Sequence, residues 1–263
     1  MAARQTQNRM FFRIVRWSLR QLGFAYFRIR VAGLERIPAR GGAILAANHP
    51  NILDGILMLI VSPRPVRFLI AEEFYFHPFL HWVFSGMGCI PVYRTRTNNG
   101  DALRSAIEAL QRGEVIGIFP EGTTSELGRM RTVKRGVGLL ALRSGVPVVP
   151  IGIEGTDVAF PEGSHVPRPR AVALAFAPPV RYAETLSDPI PQALLDRALE
   201  DIRCEILRAK RWAAAVLDVE GRARRWKPLH VALSSLVILP LASFLSLTAN
   251  PSLDPSLRHG TAS

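Results

Sequence analysis

The sequence predicts an α/β protein in which one sheet is covered by helices, with a basic amphipathic helix before it and an apolar segment after it. Three observations carry this prediction. Seven short apolar runs alternate with stretches of helical character between residues 29 and 218. The first 28 residues set arginines on one stripe of a helical wheel, and an uncharged run follows the folded region. About 190 residues suffice to bury one sizeable core, so the folded region is read as one domain.

Taken in order, residues 1–28 form the amphipathic element. At about 100° per residue Arg9, Arg13, Arg16 and Arg20 share one stripe, and Phe11, Phe12, Ile14, Val15, Trp17, Leu19 and Leu22 cover most of the rest. That distribution is expected of an interfacial membrane helix, with arginines at the head groups; a helix docked on the domain would share it. Arginines interrupt every apolar stretch, which argues against a cleaved signal peptide.

The strands are expected at Ile29–Gly33, Ala43–Ala47, Val66–Ile70, Cys89–Tyr93, Val115–Phe119, Val148–Ile153 and Ala171–Ala177. Helical character follows Asn51 in ILDGILMLIV, returns in GVGLLALRSG up to Gly145, and spans Pro191 to Leu217. A Pro- and Gly-rich loop occupies Phe160 to Pro169. His230 to Leu247 runs 18 residues without a formal charge, at the lower end of the roughly 17–25 needed to span a bilayer. Residues 229–248 are therefore expected to span or re-enter a membrane, and 249–263 to form a disordered tail. Arg222, Arg224, Arg225 and Lys227 precede this segment and Arg258 follows it. By the positive-inside rule the expectation is a membrane location with the folded domain facing the cytoplasm.

Composition narrows the partners. Lys and Arg total 33 against 21 Asp and Glu, a formal charge of +12, and only Lys134, Lys210 and Lys227 are lysines. Nine arginines and one acidic residue, Glu35, fall in the first forty positions, a balance suited to an anionic leaflet or a nucleic acid. No recognised nucleic-acid fold or interleaving of basic and exposed aromatic residues supports the second, so no nucleic-acid partner is expected. Cys89 and Cys204 stand far apart and read as free thiols. His77 and His81 have the i, i+4 spacing of metal ligands, but Pro78 between them breaks the helix that would align them, and no metal is expected. Oligomeric state is not legible.

The chemistry begins at NHPNILD, Asn48 to Asp54, just after an apolar strand candidate. Pro50 keeps His49 out of helical geometry, so His49 belongs to a strand-to-helix turn and Asp54 to the first helical turns. A neutral imidazole can take a proton from a hydroxyl while a carboxylate on its other nitrogen fixes the tautomer. On its own H-x4-D does not choose between such a dyad and a capping Asp beside a turn histidine.

Three further segments follow in order, each ending an apolar run: GCIPVYR (Gly88 to Arg94), IFPEGTTS (Ile118 to Ser125) and VPVVPIGI (Val146 to Ile153). Together with NH-x4-D they resemble the four blocks of the glycerol-phosphate and lysophospholipid acyltransferases, typified by 1-acylglycerol-3-phosphate acyltransferase. The resemblance covers roughly residues 30 to 180 and implies a single mixed-sheet acyltransferase domain. It implies His49 as the general base that deprotonates an acceptor hydroxyl, Asp54 as its orienter, and Arg94, Glu121, Gly122 and Thr123 as acceptor-binding residues. Lys134 and Arg135, just downstream, are further candidates for an anionic head group. The implied donor is an acyl thioester, acyl-CoA or acyl-carrier protein, with no cofactor. The implied acceptor is a lysophospholipid, in phospholipid biosynthesis or remodelling. No G-x-S-x-G elbow is present and neither cysteine has a neighbouring histidine, so direct transfer is expected rather than an acyl-enzyme.

Two positions depart from the family pattern. Thr124 stands where many members carry arginine, a form that also resembles members acting on larger lysophospholipids, and Asn51 stands where serine is frequent. Two other functions stay open on sequence alone: a thioester-independent phospholipid transacylase, and a non-catalytic lipid-binding protein that would not need His49, Asp54 and Glu121 together.

Overall fold

The computed structural model describes residues 9–93, 99–122, 130, 133–182 and 189–221. Strands form at all seven of the apolar runs: β1 (Arg28–Ala32), β2 (Ala43–Ala47), β3 (Val66–Ala71), β4 (Ile90–Val92), β5 (Val115–Ile118), β6 (Val148–Glu154) and β7 (Ala171–Phe176). They make one sheet in the order β1-β7-β6-β2-β5-β3-β4. Every pairing is parallel except β6 with β7, so the sheet is mixed. The helices are α1 (Arg9–Tyr26), α2 (Leu53–Val61), α3 (Glu72–Tyr75), α4 (His81–Gly86), α5 (Gly100–Gln111), α6 (Arg135–Ser144), α7 (Thr156–Ala159) and α8 (Gln192–Gly221).

The central strand explains the layering. All five residues of β2 are buried, as expected where helices cover both faces of a parallel sheet. Alternation sends Ala43, Leu45 and Ala47 to one face, where Leu53, Leu57 and Ile60 of α2 pack, and sends Ile44 and Ala46 to the other, against α5, α6 and α8. α8 comes so close to β6 that a Cβ placed on Gly152 would lie 2.1 Å from the backbone of Ala209 and Lys210. The glycine of the V-P-I-G block is thus a packing requirement, since backbone atoms on a helix cannot give way.

α1 corrects the expected N-terminal membrane helix. Phe12 is buried in the core and Val15 and Leu19 pack against the same cluster, under α2. Arg16, on the arginine stripe, turns inward and donates to the carbonyl of Ser62 at the end of α2. Arg20 sits over the Phe24 ring, 5.3 Å from its centroid. Met10, Ile14, Trp17 and Phe24 stay exposed. A helical wheel measures the segregation of apolar side chains and not the identity of what covers them; here the domain covers one side. Among the described residues no helix is long and apolar enough to cross a membrane. The expected membrane location is corrected accordingly, since no described helix supplies a bilayer span. The apolar run 230–247, its flanking basic residues and the tail lie outside the described residues.

Candidate active site

β6, β2 and β5 are adjacent and parallel, so their carboxyl ends open on one edge of the sheet. His49 follows β2, Glu121 follows β5 and Thr156 follows β6. Ligand sites of open α/β sheets lie at this edge, where the chain leaves strands for helices on opposite faces.

At the end of β2 the side chain of Asn48 is buried and grips β6 twice. Its Nδ2 donates to the Ile153 carbonyl (2.9 Å) and its Oδ1 accepts the Ile153 N–H (2.7 Å). This pair replaces a rung of the ladder where the strands part and fixes the residue preceding His49. The chain then turns through Pro50, and Asn51 starts the descent into α2. Its Oδ1 accepts the Leu53 N–H (3.1 Å), and its Nδ2 donates to the Phe160 carbonyl, uses suited to an amide at a helix entrance.

The turn brings His49 Nδ1 to 2.9 Å from Asp54 Oδ2. A carboxylate accepts, so Nδ1 carries the hydrogen and Nε2 is left with the lone pair. Asp54 is wholly buried, and the same Oδ2 accepts the Asn51 N–H at 2.7 Å. Burial pushes the Asp54 carboxyl up; the His49 hydrogen bond and charge, the Asn51 N–H and the Thr156 hydroxyl oppose it. His49 keeps 18% of its side-chain surface exposed, the arrangement of a base that is oriented from within and approached from without. Its imidazole stacks on the Phe119 ring at 3.9 Å between centroids and 16° from parallel. Phe119 is itself stacked against Phe68.

The P-E-G turn closes against this group. Glu121 is 3% exposed and its Oε1 accepts the backbone N–H of His49 at 3.1 Å, so β5 and β2 are tied at His49. Gly122 adopts φ +72°, a left-handed conformation that favours glycine. A Cβ there would lie 2.4 Å from the Lys134 ammonium nitrogen, so the Lys134 side chain lies over the turn. Its backbone N–H also donates to the Pro120 carbonyl, 2.8 Å.

The sequence candidates therefore divide. His49, Asp54, Glu121, Gly122 and Lys134 come together. Arg135 points to α8, donating to Gln192 Oε1 at 3.0 Å. Arg94, Thr123 and Thr124 lie outside the described residues. Asn48, Phe119 and Thr156 join the site without having been singled out by sequence; Asn48 and Phe119 stand inside the blocks but carry no titratable group to draw notice. Cys89 is buried and its thiol is pushed up to about 12 by desolvation, which leaves it unreactive. Cys204, also free, lies on α8.

The family described as Acyltransferase matches residues 28–154, from the first strand through the fourth block. Over these residues the chain is similar to the glycerophosphate and lysophospholipid acyltransferases. It is 33% identical over 144 residues to the chloroplast 1-acyl-sn-glycerol-3-phosphate acyltransferase LPAT1 of Arabidopsis thaliana, covering 54% of this chain and 40% of the relative. It is 31% identical over 140 residues to the 1-acyl-sn-glycerol-3-phosphate acyltransferase of Borreliella burgdorferi, covering 53% of this chain and 56% of the relative. The chain thus spans about half the length of the curated relatives it matches. Among solved structures, the 1-acyl-sn-glycerophosphate acyltransferase PlsC of Thermotoga maritima superposes with a TM-score of 0.59 at 27% identity, covering 82% of this chain and 83% of that one. All four blocks fall within the residues that the family model matches.

Proposed function

We propose that this chain is an O-acyltransferase of lipid metabolism that moves a fatty acyl group from an acyl thioester, acyl-CoA or acyl-carrier protein, to the hydroxyl of a lysophospholipid. The observation that carries the reading is the His49 Nδ1 to Asp54 Oδ2 contact of 2.9 Å, with the dyad at the carboxyl edge of β2 and the imidazole partly open.

In the proposed reaction Nε2 of His49 takes the acceptor hydroxyl proton as the oxygen attacks the thioester carbonyl carbon. Asp54 stabilises the imidazolium that forms. The tetrahedral oxyanion then collapses, the C–S bond breaks, and the imidazolium returns its proton to the leaving thiolate. An ester and a free thiol result, with no covalent enzyme intermediate. Support for direct transfer comes from the unreactive Cys89.

Glu121 is assigned the positioning of His49 through its backbone as well as the acceptor side of the site. Lys134, lying over Gly122, is the cation best disposed toward an acceptor phosphate. Arg94 and Thr123 are assigned acceptor contacts by their places in the family blocks. The acceptor named for the relatives, 1-acyl-sn-glycerol 3-phosphate, is the first to be tried.

The test is an assay of the purified chain with a panel of lysophospholipids in detergent micelles, using acyl-CoA and acyl-carrier protein in turn, that follows thiol release and acylated product together. Equal release of both supports the reading. Product formed without an added thioester points instead to transacylation between phospholipids.

A further inference from the structure

We propose that the exposed aromatic side chains Phe76, Phe79 and Trp82, around α3 and α4, receive the acyl chain of the lysophospholipid acceptor. This rests on the reading of the chain as a lysophospholipid acyltransferase.

The sheet brings these residues to the site. Ala46 of β2 is paired with Ile118 of β5, and Phe68 of β3 with Gly117 of β5, so the three strands leave the sheet at one level. His49 and Glu121 follow two of them, and α3 follows the third. Neighbouring strands stand about 4.8 Å apart, which puts the start of α3 roughly 10 Å from His49. Apolar side chains join the two places. Phe119, stacked on the His49 ring, packs against the same cluster as Ile56 of α2 and Phe84 of α4, and all three are only partly buried.

Phe76, Phe79 and Trp82 are 52%, 78% and 61% exposed, yet they are held in place. The Trp82 Nε1–H donates to the Phe79 carbonyl at 2.9 Å, and the Phe76 ring stacks on His81 at 5.8 Å between centroids. With the polar edge of the indole satisfied, what it offers outward is apolar surface. Ordered apolar surface left in water beside a site is suited to an apolar part of the ligand.

Charge selects the occupant. The chain holds 33 lysines and arginines, yet none falls between Arg67 and Arg94, a stretch that carries Glu72 and Glu73. An anionic lipid surface would draw on basic residues here; a hydrocarbon chain needs none.

The chemistry of the acceptor supplies the direction. In 1-acylglycerol 3-phosphate the reacting hydroxyl is on the middle carbon, with the phosphate and the acyl ester on the outer two. Lys134, assigned to the phosphate, stands at the start of α6, which packs on the face of the sheet that carries Ile44 and Ala46. Val83 and Phe84 of α4 pack on the opposite face, with Leu45 and Ala47. A glycerol with its middle hydroxyl at His49 and its phosphate at Lys134 therefore turns its acyl ester toward α4.

The experiment measures kcat and KM for the wild-type chain, Phe79→Ser, Phe79→Ser/Trp82→Ser, Phe79→Leu/Trp82→Phe and His49→Ala. The acceptors are 1-acylglycerol 3-phosphates from hexanoyl to myristoyl, kept below aggregation, with one acyl-CoA as donor. Each methylene taken from water adds up to about fourfold to affinity. The expected result is a wild-type kcat/KM that climbs with acceptor chain length. The myristoyl-to-hexanoyl ratio should be at least about tenfold smaller in the double serine variant, through KM, and largely kept in F79L/W82F. F79S alone carries the comparison if the double variant does not fold. A flat wild-type profile overturns the proposal, as does a wild-type ratio in the folded serine variants. So does a loss that follows the chain length of the donor instead. An intact ratio with lost binding to phosphatidylcholine–phosphatidylglycerol vesicles, or with lost self-association, also overturns it. If the wild-type chain releases no thiol with any lysophospholipid, the acyltransferase reading itself fails. An active wild type, an inactive H49A and an unmoved ratio remove only the role of these aromatics.

Discussion

The ring of Phe119 lies flat against the imidazole of His49, 3.9 Å between centroids, while Asp54 holds the same imidazole by its edge. Two contacts at right angles leave the ring one orientation: the hydrogen bond sets which nitrogen faces outward, and the stack sets the plane. Phe119→Leu keeps the apolar volume and loses the flat face. Such a ring contact is worth about 0.5–1.5 kcal/mol, so kcat should fall by up to about tenfold with little change in KM. Steady-state kinetics with a thiol-trapping reagent measure both constants.

Asp54 should be needed for activity and not for stability. Burial pushes its carboxyl up, so the ionised form works against folding once pH exceeds the ordinary Asp value. Asp54→Asn removes the buried charge and lets the wrong imidazole tautomer form. Acyl transfer should drop by about 10³–10⁴-fold, with a midpoint in thermal or urea unfolding at neutral pH no lower than wild type.

Gly152 and Gly136 should respond in opposite directions to the same change. At Gly152 an added Cβ meets the α8 backbone at 2.1 Å, and at Gly136 on the exposed side of α6 it meets nothing within 4 Å. Gly152→Ala forces α8 away from β6 and should destabilise by at least about 1–3 kcal/mol. Gly136→Ala should stabilise by about 0.5–1 kcal/mol through helix propensity. Urea unfolding of the two variants checks the pair.

Glu114 should govern part of the acid side of the stability curve. Burial alone would raise its carboxyl, but Arg67 at 2.7 Å and Arg112 at 2.9 Å outweigh that and hold it low. A carboxylate with a depressed folded pKa adds stability above its unfolded value, near 4.3, and loses it as pH falls through the folded value. Glu114→Gln should lower stability at pH 7 and flatten the decline below about pH 4. Unfolding midpoints measured from pH 3 to pH 7 give the comparison.

Strand positions were legible because each strand is a short apolar run between breakers, and burial on both faces of β2 leaves no other reading of AILAA. The dyad was legible because Pro50 and the helix beginning after it bring residues five apart together. Partners that meet only across the sheet were not. Asn48 and Ile153 lie 105 positions apart, and nothing local marks the two hydrogen bonds that join them. Lys134 and Arg135 are neighbours in sequence, yet one lies over Gly122 and the other donates to Gln192, because successive residues at a helix entrance face different ways. The arginines of α1 misled for a related reason. Arg16 serves the Ser62 carbonyl inside the fold, a use that a helical wheel, blind to tertiary partners, reads as a charged outer face.

The most direct test of the account is the rate of acyl transfer by His49→Ala beside the wild-type chain, each shown to be folded by circular dichroism and thermal unfolding. Loss of the general base should reduce kcat by about 10²–10⁴-fold while leaving the unfolding midpoint close to wild type. A folded His49→Ala protein that transfers acyl groups at the wild-type rate would contradict the assignment of His49 as the base.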